Sequence, residues 1–411
     1  VQVLGRKGTD SWSDRQDTGD ESEAENESRD AAAESRTPRP TGRLGTYRAR
    51  DGSDAAPVGI DLDSPHAALV VGKRGSGKSY TLGVLAEAAA RAHGVAPVVV
   101  DPMGVFSGLA ANEGSAAEIS ATVVRNPTVA ADTLPASSWP TLVGLDAESP
   151  VGALVWQAAS ESSSLAAMQT HVADANATED VRRSARNHLE LAESWGVFDS
   201  DGLVAADFLG DEVTVLDLSG VADAPSNAVC AAVAGGLYER RVSSASRANP
   251  KGPEGPKDST RVPWLFVDEA HVFFDGVAAN ALRTVLTRGR APGVSLVAAT
   301  QRPSALPDVA LSQADLLVAH RLTMQADVDA LTAAQPTYLA GTIRERLPTR
   351  TGDALVVDDT TESAHAVRIR ERETAHRGGS PRASQFTEAG REHGSKHRQL
   401  QAAGGRTSRH G

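Results

Sequence analysis

Residues 72–79 read Gly-Lys-Arg-Gly-Ser-Gly-Lys-Ser and fill every fixed position of the pattern G-x-x-x-x-G-K-[ST]. The glycines free the backbone, so that successive N–H groups can turn inward as an anion nest. The apolar run "AALVV" precedes this stretch and the helical pattern "SYTLGVLAEAAARAHG" follows it. A strand, a loop and a helix N-terminus therefore come in the order that a phosphate cradle needs. In such a cradle Lys78 reaches the β- and γ-phosphates of a nucleotide, and the Ser79 hydroxyl ligates Mg²⁺. Gly72, Arg74, Gly75, Ser76, Gly77, Lys78, Ser79 and Tyr80 form the candidate nucleotide-binding set, with the Lys73 and Arg74 side chains solvated. The alternative is a glycine-rich turn that binds nothing, and the strand–loop–helix context stands against it.

A second stretch, "VPWLFVDEAHVFF", says what is done with the nucleotide. Trp264–Val267 is a buried strand ending in Asp268-Glu269. An acid at that strand end can hold Mg²⁺, so Asp268 joins Ser79 as a candidate metal ligand. The next acid, Glu269, can orient and deprotonate a water attacking the γ-phosphate, which points to ATP hydrolysis and not binding alone. Lys78 and Asp268 are 190 positions apart with at least two strands between them, a separation that suits ATPases with extra strands between the two motifs. It suits nucleoside kinases and GTPases poorly, and the guanine-reading N-K-x-D is absent. The strand in "SLVAATQRPSALP" ends in Thr300-Gln301, and an amide there can sense the γ-phosphate; a cap or loop role is the alternative. Arg288 and Arg290, in "LRTVLTRGRAPG", and Arg321, in "AHRL", are candidates to reach a neighbouring subunit's nucleotide, with ordinary surface ion pairs as the alternative.

The elements that would position these residues can be read along the chain. Apolar runs at 67–71, 96–101, 213–221, 264–270, 293–300 and 314–322 alternate with helical patterns, which predicts an α/β fold with a mainly parallel sheet covered on both faces. "GDALVVDD" and "HAVRIR" predict a closing hairpin at the sheet edge. Residues 105–210 break the rhythm and read as a mostly helical insertion, and 243–260 as an exposed Pro/Gly/Ser loop. Together 43–373 would be one ATPase domain. Residues 1–42, polar and acidic, are expected to be disordered. Residues 374–411 read as a disordered tail whose basic side chains, such as Arg377, Arg382 and Arg391, could contact nucleic acid or simply be solvated.

Composition narrows the class further. With 411 residues and 40% hydrophobic content the chain can bury a large core, and no apolar run approaches the ~20 residues that span a bilayer. No membrane segment and no signal peptide are visible, and the single Cys230 fits a reducing cytoplasm. The first residue is Val, consistent with a fragment, a processed product or an alternative start. The net charge is −12, with only six lysines among 41 basic residues. An acidic, lysine-poor composition resembles that of proteins from salt-loving archaea, where salt screens self-repulsion.

Taken with "VVVDPMGVF", the stretches "VVGKRGSGKSYTLGVLAE", "FVDEAH", "RGRAPGVSLVAATQRPSALPDVALSQADLLVAHRL" and "GDALVV" resemble the HerA branch of the FtsK–HerA ATPases. The resemblance covers roughly residues 58–370, the helical insertion excepted. It implies a RecA-like P-loop ATPase with ATP and Mg²⁺ as cofactors, assembling as a hexameric ring that pumps double-stranded DNA, with a nuclease or other protein as a possible partner. It also implies Gln301 as the sensor and Arg290 as the arginine acting in trans. Asp101, in "DPMG", matches a family motif after the second core strand. The chain departs from the family in one respect: HerA proteins normally carry a small β-barrel before the ATPase core, and residues 43–65 are too few for one. Two other readings remain: a nucleotide-dependent switch or assembly module with a protein partner, and a DEAH-box helicase, spelled by Asp268-Glu269-Ala270-His271 but lacking the arginine-rich sixth motif of that group.

Overall fold

Val95–Asp101 is buried at every position, and such a run can sit only in a sheet covered on both sides. The computed structural model, which describes residues 2–6, 39–49, 51–110, 119–247, 261–334 and 343–378, places it at the centre of that kind of layer. Seven strands run parallel: β4 (Ala67–Val71), β5 (Val95–Asp101), β6 (Ala121–Arg125), β7 (Val213–Asp217), β8 (Val262–Val267), β9 (Ser295–Thr300) and β10 (Leu316–Ala319). Beyond β10 come β11 (Asp353–Asp358) and β12 (Ser363–Ile369), then β2 (Thr41–Arg48) and β3 (Asp54–Asp61), each antiparallel to its neighbour. Last is β1 (Gln2–Leu4), parallel to β3. The full order is β1-β3-β2-β12-β11-β10-β4-β9-β8-β5-β7-β6.

Alternate side chains divide the core into two halves. Leu69, Val71, Val98, Val100, Leu265 and Val267 face one side, and Val70, Val99, Trp264, Phe266 and Val297 face the other. The second side is covered by α1 (Lys78–Arg91), which buries Leu82, Val84, Leu85 and Ala89. The first is covered by two groups of helices. The insertion supplies α2 (Trp139–Leu142), α3 (Pro150–Glu161), α4 (Leu165–Asp174) and α5 (Glu179–Ser194). The later chain supplies α6 (Asp223–Arg247), α7 (Ala270–Phe274), α8 (Ala279–Arg288), α9 (Asp308–Ser312) and α10 (Gln325–Ala334). Local signals start the insertion helices. Ser149 and Ser164 accept N–H groups of Gly152 and Ala167 as N-caps, and Pro150 occupies the first turn of α3.

Several expectations change. The hairpin β11–β12 exists but is not an edge, because β2 continues the sheet beyond it. The 105–210 insertion is mostly helical yet contains β6, an edge strand on β7 whose half-exposed "ATVVR" lacks the apolar continuity of the central strands. Within 1–42, Gln2–Leu4 form a strand; Leu4 is buried, the Gly5 N–H donates to Asp358 Oδ2 at 2.9 Å, and Arg6 pairs with Asp61. Three residues are too few to show a period. Of the 243–260 loop, residues up to Arg247 extend α6, and 248–260 lie outside the described residues, as do 7–38 and 379–411. The chain from Val1 to His376 is one compact unit; Arg377–Gly411 is assigned to a second, and of it only Arg377 and Gly378 are described. Among the described residues no helix is long and apolar enough to cross a membrane.

Candidate active site

The parallel register brings three strand ends together. Val71 of β4 is level with Thr300 of β9, and Val267 of β8 with Ala298. The phosphate-type loop, the Thr300-Gln301 turn and the Asp268-Glu269 pair therefore leave the sheet side by side, with β9 between the other two strands. The loop is held at its base from both flanks: Gly72 N–H donates to the Thr300 carbonyl at 3.3 Å and Lys73 N–H to the Arg321 carbonyl at 2.9 Å. Inside it, the Ser76 hydroxyl donates to the Lys73 carbonyl at 2.7 Å. Gly77, at φ 118°, turns the chain into α1 in a conformation that favours glycine.

Lys78 is the first residue of α1 and is buried, with its Nζ 3.4 Å from the Lys73 carbonyl. Burial lowers its pKa, opposed by the carboxylates of Glu269 and Asp268. The Ser79 hydroxyl donates to Asp268 Oδ2 at 2.7 Å. Asp268 is almost fully enclosed, and burial raises its pKa. Glu269 adopts a left-handed backbone (φ 47°, ψ 43°), uncommon for a residue with a side chain and concentrated at functional sites. One of its carboxylate oxygens, Oε2, is buried without a hydrogen-bond partner, 3.4 Å from His271 Nδ1. Burial and then the neighbouring Asp268 raise the Glu269 pKa, while Lys78 opposes the rise.

These residues fit magnesium-bound ATP. Among the described residues a buried ammonium has no carboxylate within salt-bridge distance, a hydroxyl and a carboxylate share one side, and a second carboxylate has an oxygen without a hydrogen-bond partner. Among the described residues no three His, Cys, Asp or Glu side chains form a metal cage by themselves. A cation here would be held by Ser79, Asp268 and phosphate oxygens, as suits Mg²⁺, which keeps several of its waters.

The other expected residues fall in different places. Gln301 directly follows β9, half-buried, and its backbone hydrogen-bonds the Glu269 carboxylate. Arg74 is exposed near enough to Glu269 to lower its pKa, and Gly75 is exposed at φ 74°. Tyr80 turns away from the loop: its hydroxyl accepts the Arg372 N–H at 2.6 Å and its ring lies edge-on to His376, 5.5 Å between centroids. Arg290 is exposed in the segment before β9, at the opposite end of that strand from Thr300, so it does not enter its own chain's site. Arg288 ends α8, exposed, and the Arg321 side chain is exposed while its carbonyl braces Lys73.

Three contributors were obscure in the sequence. Asp101, at the end of β5, accepts N–H bonds from Met103, Val105 and Phe106 and so shapes the turn beside the site; burial pushes its pKa up to about 6. His271 lies 3.2 Å from the Thr300 hydroxyl and 3.4 Å from Glu269, linking the β9 end to the second acid. His320, directly after β10, is enclosed against the loop. Only the "DEAH" spelling hinted at His271, and nothing local marked His320.

A phosphate-type loop, a strand set beside it in the sheet and a pair of acids at the next strand end make up the arrangement of a P-loop α/β fold. Residues 43–140 match the family model described as the central domain of helicase HerA. Over that stretch, which carries the phosphate loop, the chain is similar to the HerA central domain. Among solved structures it is similar to VirB4 of Thermoanaerobacter pseudethanolicus, at 15% identity and a TM-score of 0.59 over 80% of this chain and 96% of that one. It is also similar to the bacterial conjugative coupling protein TrwBΔN70, at 16% identity and a TM-score of 0.54 over 84% and 98% of the two chains. No curated protein sequence matches the chain.

Proposed function

We propose that the protein binds ATP with Mg²⁺ in the 72–79 loop, hydrolyses it, and uses the cycle to move double-stranded DNA as a ring of like subunits. The observation that carries the reading is the 2.7 Å contact between the Ser79 hydroxyl and Asp268, with the partnerless oxygen of Glu269 on the next residue. Bound Mg²⁺ would offset phosphate charge and polarise the γ-phosphate. Lys78 and the loop N–H groups bind the β- and γ-phosphates; Ser79 and Asp268 hold the cation. Glu269, whose raised pKa makes it a stronger base, accepts the proton of the attacking water, and Gln301 orients that water. Arg290, exposed and away from its own chain's site, would act on a neighbour's. The family match and the conjugative coupling protein's likeness in fold support a DNA motor.

The test is a steady-state ATPase assay with and without double-stranded DNA at two salt concentrations, with the mass of the protein measured in Mg-ATP. Hydrolysis absent from Lys78→Ala, raised by DNA, less so at the higher salt because phosphate contacts release counterions, is the expected result, together with a nucleotide-dependent oligomer. Hydrolysis without DNA stimulation would favour the switch or assembly module.

A further inference from the structure

His320 leaves β10 where the phosphate loop leaves β4. Its N–H donates to the Val71 carbonyl at 2.8 Å, and the next carbonyl, of Arg321, takes the Lys73 N–H. The ring is fully enclosed and lies against both ends of the loop. A Cβ on Gly72 would come within 2.7 Å of His320 Cβ, and one on Gly77 within 3.5 Å of His320 Cε1. Both ring nitrogens have partners, and one partner fixes the tautomer. Nδ1 is 2.9 Å from the Asp353 carbonyl, which can only accept, so Nδ1 carries the hydrogen. Nε2 then has a lone pair and accepts from the Thr81 hydroxyl at 2.8 Å. Thr81 is buried in the first turn of α1, two residues after Ser79.

We propose that His320, as the neutral Nδ1–H imidazole, is a positioning residue for the nucleotide site, joining the first turn of α1 to the start of β11 and so setting the pose of Lys78 and Ser79. The proposal rests on the Mg-ATP reading above. The surroundings support a neutral ring. Lys78 is the charged group facing it from α1, and from β11 comes Asp353, whose carboxylate is taken by Arg368 of β12 at 3.1 Å and Arg48 of β2 at 3.5 Å. Burial pushes the His320 pKa down to about 4, and Lys78 pushes the same way. An imidazolium would also lose the Thr81 bond, since it has no lone pair to offer.

His320 variants can fail to fold, so the decisive substitutions are at Thr81. Thr81→Val keeps the shape and removes the donor, leaving Nε2 buried and unpaired; Thr81→Ser restores the hydroxyl. The expected result is an approximately tenfold rise in KM for ATP in Thr81→Val with kcat changed less than about twofold, and recovery in Thr81→Ser. A purely packing role would leave KM alone or fail to distinguish Ser from Val, and either result overturns the proposal. An independent readout needs no nucleotide: ¹⁵N spectra of histidine-labelled protein at pH 7 should show the His320 ring as the Nδ1–H tautomer, perturbed in Thr81→Val. An Nε2–H or doubly protonated ring overturns the proposal. If wild-type protein binds no Mg-ATP, the nucleotide reading and the positioning role fall together, whereas a wild-type KM in Thr81→Val beside active wild type removes only the role of His320.

Discussion

Ser79 and Asp268 meet across 189 positions of sequence, and the division of labour between Asp268 and its neighbour follows from their surroundings. Asp268 is enclosed, and its oxygens take the Ser79 hydroxyl and the Glu269 N–H, the latter at 2.9 Å, so it is fixed in place and suited to holding a cation. Glu269 has a left-handed backbone and keeps an oxygen without a hydrogen-bond partner, so it is suited to accepting a proton. Glu269→Gln should therefore bind Mg-ATP normally and lower turnover by roughly 10²–10⁴-fold, the usual contribution of a general base. Asp268→Asn should instead weaken the Mg²⁺ dependence of binding. Equilibrium binding of a fluorescent ATP analogue, titrated with Mg²⁺, alongside single-turnover hydrolysis separates the two. Undiminished hydrolysis in Glu269→Gln would move the base elsewhere.

Among the elements, α1 is held from two sides, and only one of them was legible in the sequence. Its start is written in adjacent residues, because glycines, a lysine and a serine at fixed spacing must follow one strand. The strands were legible for a similar reason: β5 and β8 are apolar throughout. Its outer face was not legible. Glu87 sits in the Ala-rich run of α1, where a carboxylate reads as solvent-facing, yet it is fully buried. Its partners lie 283–287 positions later: Arg370 Nη1 at 2.7 Å, the Glu373 N–H at 3.1 Å, and the Thr374 N–H at 2.9 Å with its hydroxyl at 2.6 Å. The Arg372 guanidinium fills the space over Gly83, where a Cβ would come within 2.5 Å of Cζ. Residues 370–376 thus form a strap along α1, so the segment expected to be disordered from 374 is ordered at its start. Burial raises the Glu87 pKa, and the Thr374 and Arg370 bonds outweigh it and bring it below the ordinary value. Its contribution to stability is therefore present above the unfolded-state pKa and lost as pH falls through the lower folded one. Glu87→Gln leaves Arg370 and Arg372 without their buried counter-charge and should cost about 3–5 kcal/mol in urea unfolding at pH 7. A change below about 1 kcal/mol, the range of a surface pair, would mean that the strap is not part of the cooperative fold.

Across the whole molecule, the sheet has a chemical end and an ionic end. At the far side from the phosphate loop, His66 before β4 is buried between Asp315 before β10, with Nδ1 to Oδ2 at 3.0 Å, and Asp61 at the end of β3, at 3.6 Å. The N–H of His66 also donates to the Ser295 hydroxyl at 3.0 Å, and Arg6 beyond β1 pairs with Asp61. Four strands are thereby tied by one imidazole and its carboxylates, and the His66 backbone adds β9. Burial alone would lower the His66 pKa, but the hydrogen bonds and charges of Asp315 and Asp61 outweigh it and raise the value from 6.5 to about 9. A histidine with a raised folded-state pKa stabilises fully below its unfolded pKa and ceases to do so as pH climbs through the folded one. The window therefore runs from 6.5 to about 9. At 1.36 kcal/mol per unit the loss over that window is on the order of 3–4 kcal/mol at most. Asp61 is held down to about 2, since bonds from His66 and Arg6 overcome its burial, so its own contribution disappears only in acid and leaves this window clean. Urea midpoints of wild type should fall between pH 6.5 and 9, and His66→Gln, less stable at pH 6.5, should show little further fall. A wild-type profile that stays flat through pH 9 would mean that the ring is not protonated between its two acids and that the ionic end does not hold these strands together.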